Sequence, residues 1–216
     1  MSNLTHVFSG FYVRKDLIGK NPVFLHVGSY TGEIEKILTD MFPDCQIYSI
    51  EAHPANFEEL CHNTKDMVNL TRINAAMTDS SEREIFISGI KGAATTYKVS
   101  GGIKVKGITL SEFTRDFSID SIDCIFYNAE GSEMDFMPHL MESGSYKRVK
   151  QVCVNFHVHV KDFGITYDSV MKMIKDAKID QFYSINDDRV SRIASTATGV
   201  PISERYPCFL FFRDER

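Results

Sequence analysis

No apolar run in the 216-residue sequence approaches the roughly 20 residues that a membrane-spanning helix needs. The opening stretch, MSNLTHVFSGFYVRKD, also lacks the basic-then-apolar order of a secretory signal. A cytoplasmic protein that does not engage a membrane is therefore expected. No long block of like charges occurs either: 24 basic residues stand against 29 acidic ones, for a formal charge of -5. Nucleic-acid backbones are bound by concentrated basic patches, so nucleic acid is not an expected partner. No two cysteines have CxxC spacing, and the five present (Cys45, Cys61, Cys124, Cys153, Cys208) are scattered, mostly within apolar runs. They read as reduced core thiols rather than a disulfide frame or a zinc site. The 43% hydrophobic and 25% charged content is close to the globular average, which argues against disorder, collagen-like repeats and coiled coils.

What is present is an alternation of strands and helices. NPVFLHVG, residues 21–28, is a short continuous apolar run closed by glycine, suited to a strand buried on both faces. In the following SYTGEIEKILTDMF, Ile34, Ile37, Leu38 and Met41 form one helical stripe. QIYSIEAHP is a second strand, with Pro54 placed for the first turn of a helix whose inner face carries Phe57, Leu60 and Cys61. Further strands are expected over 69–77, 83–90, 122–128 and 149–160, with helices near 133–141 and around Val170–Ala177, and with QFYSI and CFLFF as the last two strands. Residues 89–106 show no strong period and read as a glycine-rich loop with short strands, the part from Lys91 to Gly102 being able to close over a substrate. Strands alternating with crossover helices call for an α/β fold: a doubly wound, mainly parallel sheet. No linker or repeat divides residues 21–216, which read as one domain, with residues 1–20 as an N-terminal appendage.

Ligands of such sheets collect beyond the carboxyl ends of the strands, where the winding reverses. There the first strand ends in Gly28-Ser29-Tyr30-Thr31-Gly32, a turn that lets backbone amides approach a ligand and aims a helix N-terminus at it. The second strand ends in Glu51, twenty-three residues after Gly28. That spacing is close to the roughly twenty expected between a glycine turn and an acid that accepts from a ribose diol. The G-x-G-x-x-G fingerprint of nicotinamide enzymes is missing, and the wider turn suits a nucleoside cofactor without a diphosphate, of which S-adenosyl-L-methionine is the common one.

VFLHVGSYTGE, IYSIEAHPANFEEL, NLTRINAAMTDSS, VKGITLSEF and IDCIFYNAEGSEMDFM, taken in this order and spacing, resemble the FkbM-type class I S-adenosylmethionine-dependent methyltransferases from about Val23 to Met141. The resemblance implies a Rossmann-like methyltransferase fold with a seven-stranded sheet and a reversed C-terminal strand. It implies methyl transfer to oxygen on a sugar, a glycan or another small natural product. Carried over by position, Gly28, Ser29 and Tyr30 border the methionine part, with His26 and Gly32 in the same turn region. Glu51, followed by Ala52, holds the ribose, and Asn74 with Ala75 lies by the adenine.

The sequence departs from the family at four positions that usually carry an acid: His26, Ser111, Asn128 and Asn155. The cofactor is a cation at its sulfonium and ammonium, so lost carboxylates remove attraction. Two readings stay open. In one, Asn128 and His26 keep hydrogen bonds to the cofactor through neutral groups and the enzyme is active. In the other, the chain is a catalytically weak relative that binds a ligand or a partner. For methyl transfer to an aliphatic hydroxyl, His157 is the expected general base, ahead of His159 on the same face, with Glu130 and Asn128 bordering the site. These groups match no compact metal-ligand spacing, and no metal is assigned.

Overall fold

The switch from period-two to period-3.6 patterning along the chain is realised as an α/β sandwich in the computed structural model, which describes residues 4–8, 10–78, 84–88, 102–142, 144–157, 166–176, 182–185 and 208–212. A hairpin of β1 (Leu4–Phe8) and β2 (Phe11–Arg14) leads into β3 (Val23–Val27), α1 (Glu33–Met41), β4 (Gln46–Glu51), α2 (Pro54–Asn63) and β5 (Leu70–Asn74). Next come β6 (Ala76–Met77), β7 (Glu84–Ile87), β8 (Ile103–Ile108), α3 (Leu110–Asp116), β9 (Cys124–Tyr127) and α4 (Glu133–Glu142). The chain continues with β10 (Gln151–Asn155), α5 (Tyr167–Asp176), β11 (Phe182–Ile185) and β12 (Cys208–Phe212).

Seven strands form the central sheet in the order β11-β12-β10-β9-β3-β4-β5. Strands β5, β4, β3, β9 and β10 run parallel, while β12 is antiparallel to both β10 and β11. The expected reversed C-terminal strand is thus inserted between two strands of the other direction. The chain crosses from β3 to β4 on one side and returns to β9 on the other, so the winding reverses beside β3.

Both sheet faces are apolar because the parallel strands are buried on both sides. Leu25, Val27, Ile50, Ile125 and Val154 face α3, α4 and α5, which supply Phe113, Met137 and Val170. The alternate residues Phe24, Phe126 and Cys153 meet Leu38 of α1 and Phe11 and Val13 of the hairpin. Strands β1 and β2, expected as part of an appendage, are thus tied into the core. Val13 is fully buried, Tyr12 N donates to Cys153 Sγ at 3.3 Å, and Arg14 N donates to Gln151 Oε1 at 2.8 Å.

The expected strand over 69–77 divides in two. After Asn74 the chain leaves the central sheet, and β6 pairs instead with β8 (Met77 opposite Ile108), with β7 completing a small three-stranded sheet. The region read as a loop with short strands ends in the regular strand β8, while residues 89–101, which include most of the expected closing loop, lie outside the described residues. Cys45, Cys124 and Cys153 are buried free thiols, and burial pushes those of Cys45 and Cys124 up. Among the described residues, no helix is long and apolar enough to cross a membrane.

Candidate active site

The C-terminal ends of β3, β4 and β9 lie side by side, with Val27 opposite both Ile50 and Tyr127. Beyond them opens a cleft of about 750 Å³, its mouth included. Gly28 forms its floor. With φ at 80°, Gly28 is in the left-handed region, and a Cβ on it would come within 1.9 Å of the Asn128 carbonyl oxygen. Only glycine permits this approach of the β3 and β9 turns. One wall is apolar, made by Ile50, Ala75, Met77 and Ile87, and the opposite rim carries Asn128, Ala129, Glu130 and Ser132. Tyr30, also left-handed at φ 50°, is 42% exposed at the entrance.

Glu51 is 6% exposed and is fixed by three N–H donors. Its Oε2 accepts from Tyr30 N at 2.9 Å, and its Oε1 accepts from His53 N at 2.9 Å and Asn56 Nδ2 at 3.2 Å. The carboxylate thus ties the turn after β3 to the start of α2. Among the described residues, the charged ones lining the cleft are Glu51 and Glu130.

Glu130 belongs to a second arrangement. The turn after β9 bends through two left-handed residues, Glu130 at φ 49° and Gly131 at φ 104°. It is held by Glu133, whose carboxylate accepts from Ala129 N at 3.0 Å and Gly131 N at 2.9 Å. His157, 1% exposed just past β10, lies between the two acids, with Nδ1 2.8 Å from Glu133 Oε1 and Nε2 3.2 Å from Glu130 Oε1. Burial alone would lower the imidazole pKa, but the Glu133 and Glu130 carboxylates outweigh it and push it up to about 10. At neutral pH the ring is a cation with both nitrogens engaged, and it does not line the cleft. This placement differs from the expected imidazole base facing an acceptor; the side chain of the line that reaches the cleft is Glu130.

Of the residues expected around a cofactor, Gly28, Tyr30, Glu51, Ala52, Ala75 and Asn128 line the cleft. The others do not. Ser29 is buried and donates to the His26 carbonyl at 3.1 Å. Gly32 is the left-handed N-cap of α1, packed so closely on Thr64 of α2 that a Cβ would lie 2.6 Å from its methyl. Asn74 clamps the β4 turn, its Nδ2 donating to the Glu51 carbonyl at 2.8 Å and the Ala52 carbonyl at 3.2 Å. His26 is on the opposite face of the sheet, edge-on to Phe11 and 2.7 Å from Glu35 Oε1.

Three of the four positions that lack a family acid thus lie away from the cleft. His26 faces α1, Ser111 bonds Ser145 on the surface, and Asn155 packs against Gly10 of the hairpin turn. Asn128 alone among them lines the cleft. The sequence reading missed Glu133, Asn56, Met77 and Ile87. Asn56 and Glu133 sit in the first turns of α2 and α4, just after the strand-end acids Glu51 and Glu130, and that proximity was the available signal. His159 lies outside the described residues. Among those described, no group of three or more His, Cys, Asp or Glu is arranged to hold a metal ion.

A mainly parallel sheet with one reversed strand, opening a cleft at its switch point, is the Rossmann-like fold of class I methyltransferases. The methyltransferase FkbM domain model matches residues 23–182, and the chain belongs to that family. No curated protein matches it. Among solved structures it is similar to the precorrin-6y C5,15-methyltransferase of Geobacter metallireducens, at 11% identity over 90% of this chain and 81% of that one, with a TM-score of 0.52. It is also similar to the fibrillarin pre-rRNA processing protein of Methanococcus jannaschii, at 12% identity over 93% and 69%, with a TM-score of 0.53. At such identities the likeness is one of fold.

The family's cofactor is S-adenosyl-L-methionine. The cleft residues fit it: an apolar wall suits a flat base, a carboxylate beside that wall suits a ribose, and a glycine floor lets a ligand lie close against the strand ends.

Proposed function

We propose that the chain transfers a methyl group to a hydroxyl oxygen of a sugar, glycan or other small metabolite, with Glu130 as the proton acceptor. The observation that carries this reading is Glu130, which lines the cleft while His157 and Glu133 stand in line behind it. Gly28, Tyr30 and Asn128 would border the methionine part of the cofactor, Glu51 the ribose, and Ala52 with Ala75 the adenine. The bound cofactor supplies a methyl group activated on a sulfonium.

The chain's own part is to hold the acceptor oxygen in line with that methyl and to receive its proton. As the oxygen–carbon bond forms and the sulfur–carbon bond breaks, the hydroxyl proton becomes strongly acidic, and a carboxylate is a sufficient acceptor. The His157 cation holds Glu130 in place, and Glu133 holds His157. His157 is therefore a positioning residue.

The other reading, a catalytically weak member that binds a ligand or partner, draws on Asn128, the one cleft position where a family acid is absent. A tritium-transfer screen over glycans and small hydroxylated metabolites separates the two. With an acceptor in hand, Glu130→Gln is expected to lower kcat by roughly 10²- to 10⁴-fold, the usual worth of a general base. Its affinity for S-adenosylhomocysteine should stay within about threefold of the parent, less than 1 kcal/mol. Full turnover by this variant would refute the assignment, and a screen without any acceptor, in a protein that binds S-adenosylhomocysteine, would favour the binding reading.

A further inference from the structure

Asn56, at the first turn of α2, is 3% exposed and lines the cleft. Its Nδ2 donates to Glu51, while its Oδ1 is buried without a hydrogen-bond partner. The orientation of the amide is set by Glu51: turned over, it would bring two acceptor oxygens together. A buried acceptor left unmatched is costly and rare in folded proteins, and the side chain that carries this one is part of a residue lining the cleft.

Glu51 also has little capacity to spare. A carboxylate offers about four lone-pair directions, and three already receive N–H donors from Tyr30, His53 and Asn56. A ribose brings two hydroxyl donors. Glu51 has room for one of them, and the nearest unmatched acceptor on the same amide–carboxylate pair is Asn56 Oδ1.

We infer that Asn56 is a ribose-binding residue whose Oδ1 accepts one hydroxyl of the cofactor's diol while Glu51 accepts the other. The inference rests on the reading of Glu51 as the ribose acid.

The test is calorimetry with S-adenosylhomocysteine and its 2′-deoxy and 3′-deoxy analogues. In the unmodified protein each deoxy analogue should bind more weakly, and Asn56→Ala should weaken S-adenosylhomocysteine itself by about three- to tenfold, the worth of one neutral hydrogen bond. For one of the two analogues the substitution should cost nothing further, because the ligand already lacks that hydroxyl. An unchanged affinity in Asn56→Ala overturns the inference, and so does an equal loss for all three ligands, which is what a merely structural role of Asn56 would give. If the alanine variant fails to fold, Asn56→Ser is judged by the same criterion. A parent protein that binds S-adenosylhomocysteine but shows no such coupling overturns the Asn56 assignment alone. One that does not bind it overturns the nucleoside reading of Glu51 as well.

Discussion

His26 occupies a strand position where the family usually has an acid, and its environment explains why an acid is not needed there. The ring sits 2.7 Å from Glu35 Oε1, and Ser49 Oγ donates to the same oxygen at 2.5 Å. Glu35 is completely buried. Burial works against its charge, but His26 and Ser49 reverse the balance and hold the carboxyl below its ordinary 4.5. The pocket keeps a carboxylate on the helix, with a histidine on the strand to meet it. Restoring an acid at 26 would press two carboxylates together in a dry site. His26→Asp is therefore expected to destabilise by about 3–5 kcal/mol, the usual result of leaving a buried charge without its partner. Urea unfolding near neutral pH measures this, and a loss below about 1 kcal/mol would show that His26 and Glu35 are not coupled. Adding Glu35→Gln should recover part of the loss. Affinity for S-adenosylhomocysteine in the folded fraction should hardly change, since residue 26 does not line the cleft.

Among the elements, those that bury two faces were the most legible. VFLHV, QIYSIE and CIFY stand out as apolar runs, and each is a central strand ending at the cleft. Gly28 and Glu51 were legible because turn and acid keep a fixed spacing in such sheets. The direction of His26 was readable too, because period-two alternation puts it on the face opposite Val27, but position in the motif was given more weight than the pleat. The Glu133–His157 partnership joins residues 24 apart and depends on how the turn after β9 bends, which no local pattern reveals. The hairpin was missed because its strands are short and mix polar with apolar residues, and α3 because seven residues are too few for a period. Yet α3 begins with a visible signature. Thr109 Oγ1 accepts from Glu112 N at 3.1 Å, and Glu112 Oε2 accepts from Thr109 N at 3.0 Å, a reciprocal cap at the junction with β8. Thr109→Ala should cost about 1 kcal/mol. A change in the urea midpoint at constant slope reports it, and no change would mean that the cap contributes nothing here.

On the scale of the whole molecule, the two buried histidine–carboxylate groups set opposite limits on stability. Glu35 is a stronger acid folded than unfolded, so its contribution is present above about 4.5 and is lost as the pH falls below that value. His157 works in the other direction. Its pKa rises from an ordinary 6.5 to about 10 on folding, so the folded protein retains a proton that the unfolded chain releases between these values. Its contribution is complete below pH 6.5 and declines until the pH passes about 10. One extra bound proton gives a slope of at most about 1.4 kcal/mol per pH unit, so stability should peak between the two windows and fall on the alkaline side. His157→Gln removes the titrating group, and its urea-unfolding free energy should be lower than the parent's at pH 6 but nearly level from there to pH 9. If the parent's stability shows no decline over that interval, the ring is not held as a cation between Glu130 and Glu133. The assignment of His157 as the cation that holds Glu130 in place would then fail, while Glu130 would still be the group of this pair that lines the cleft.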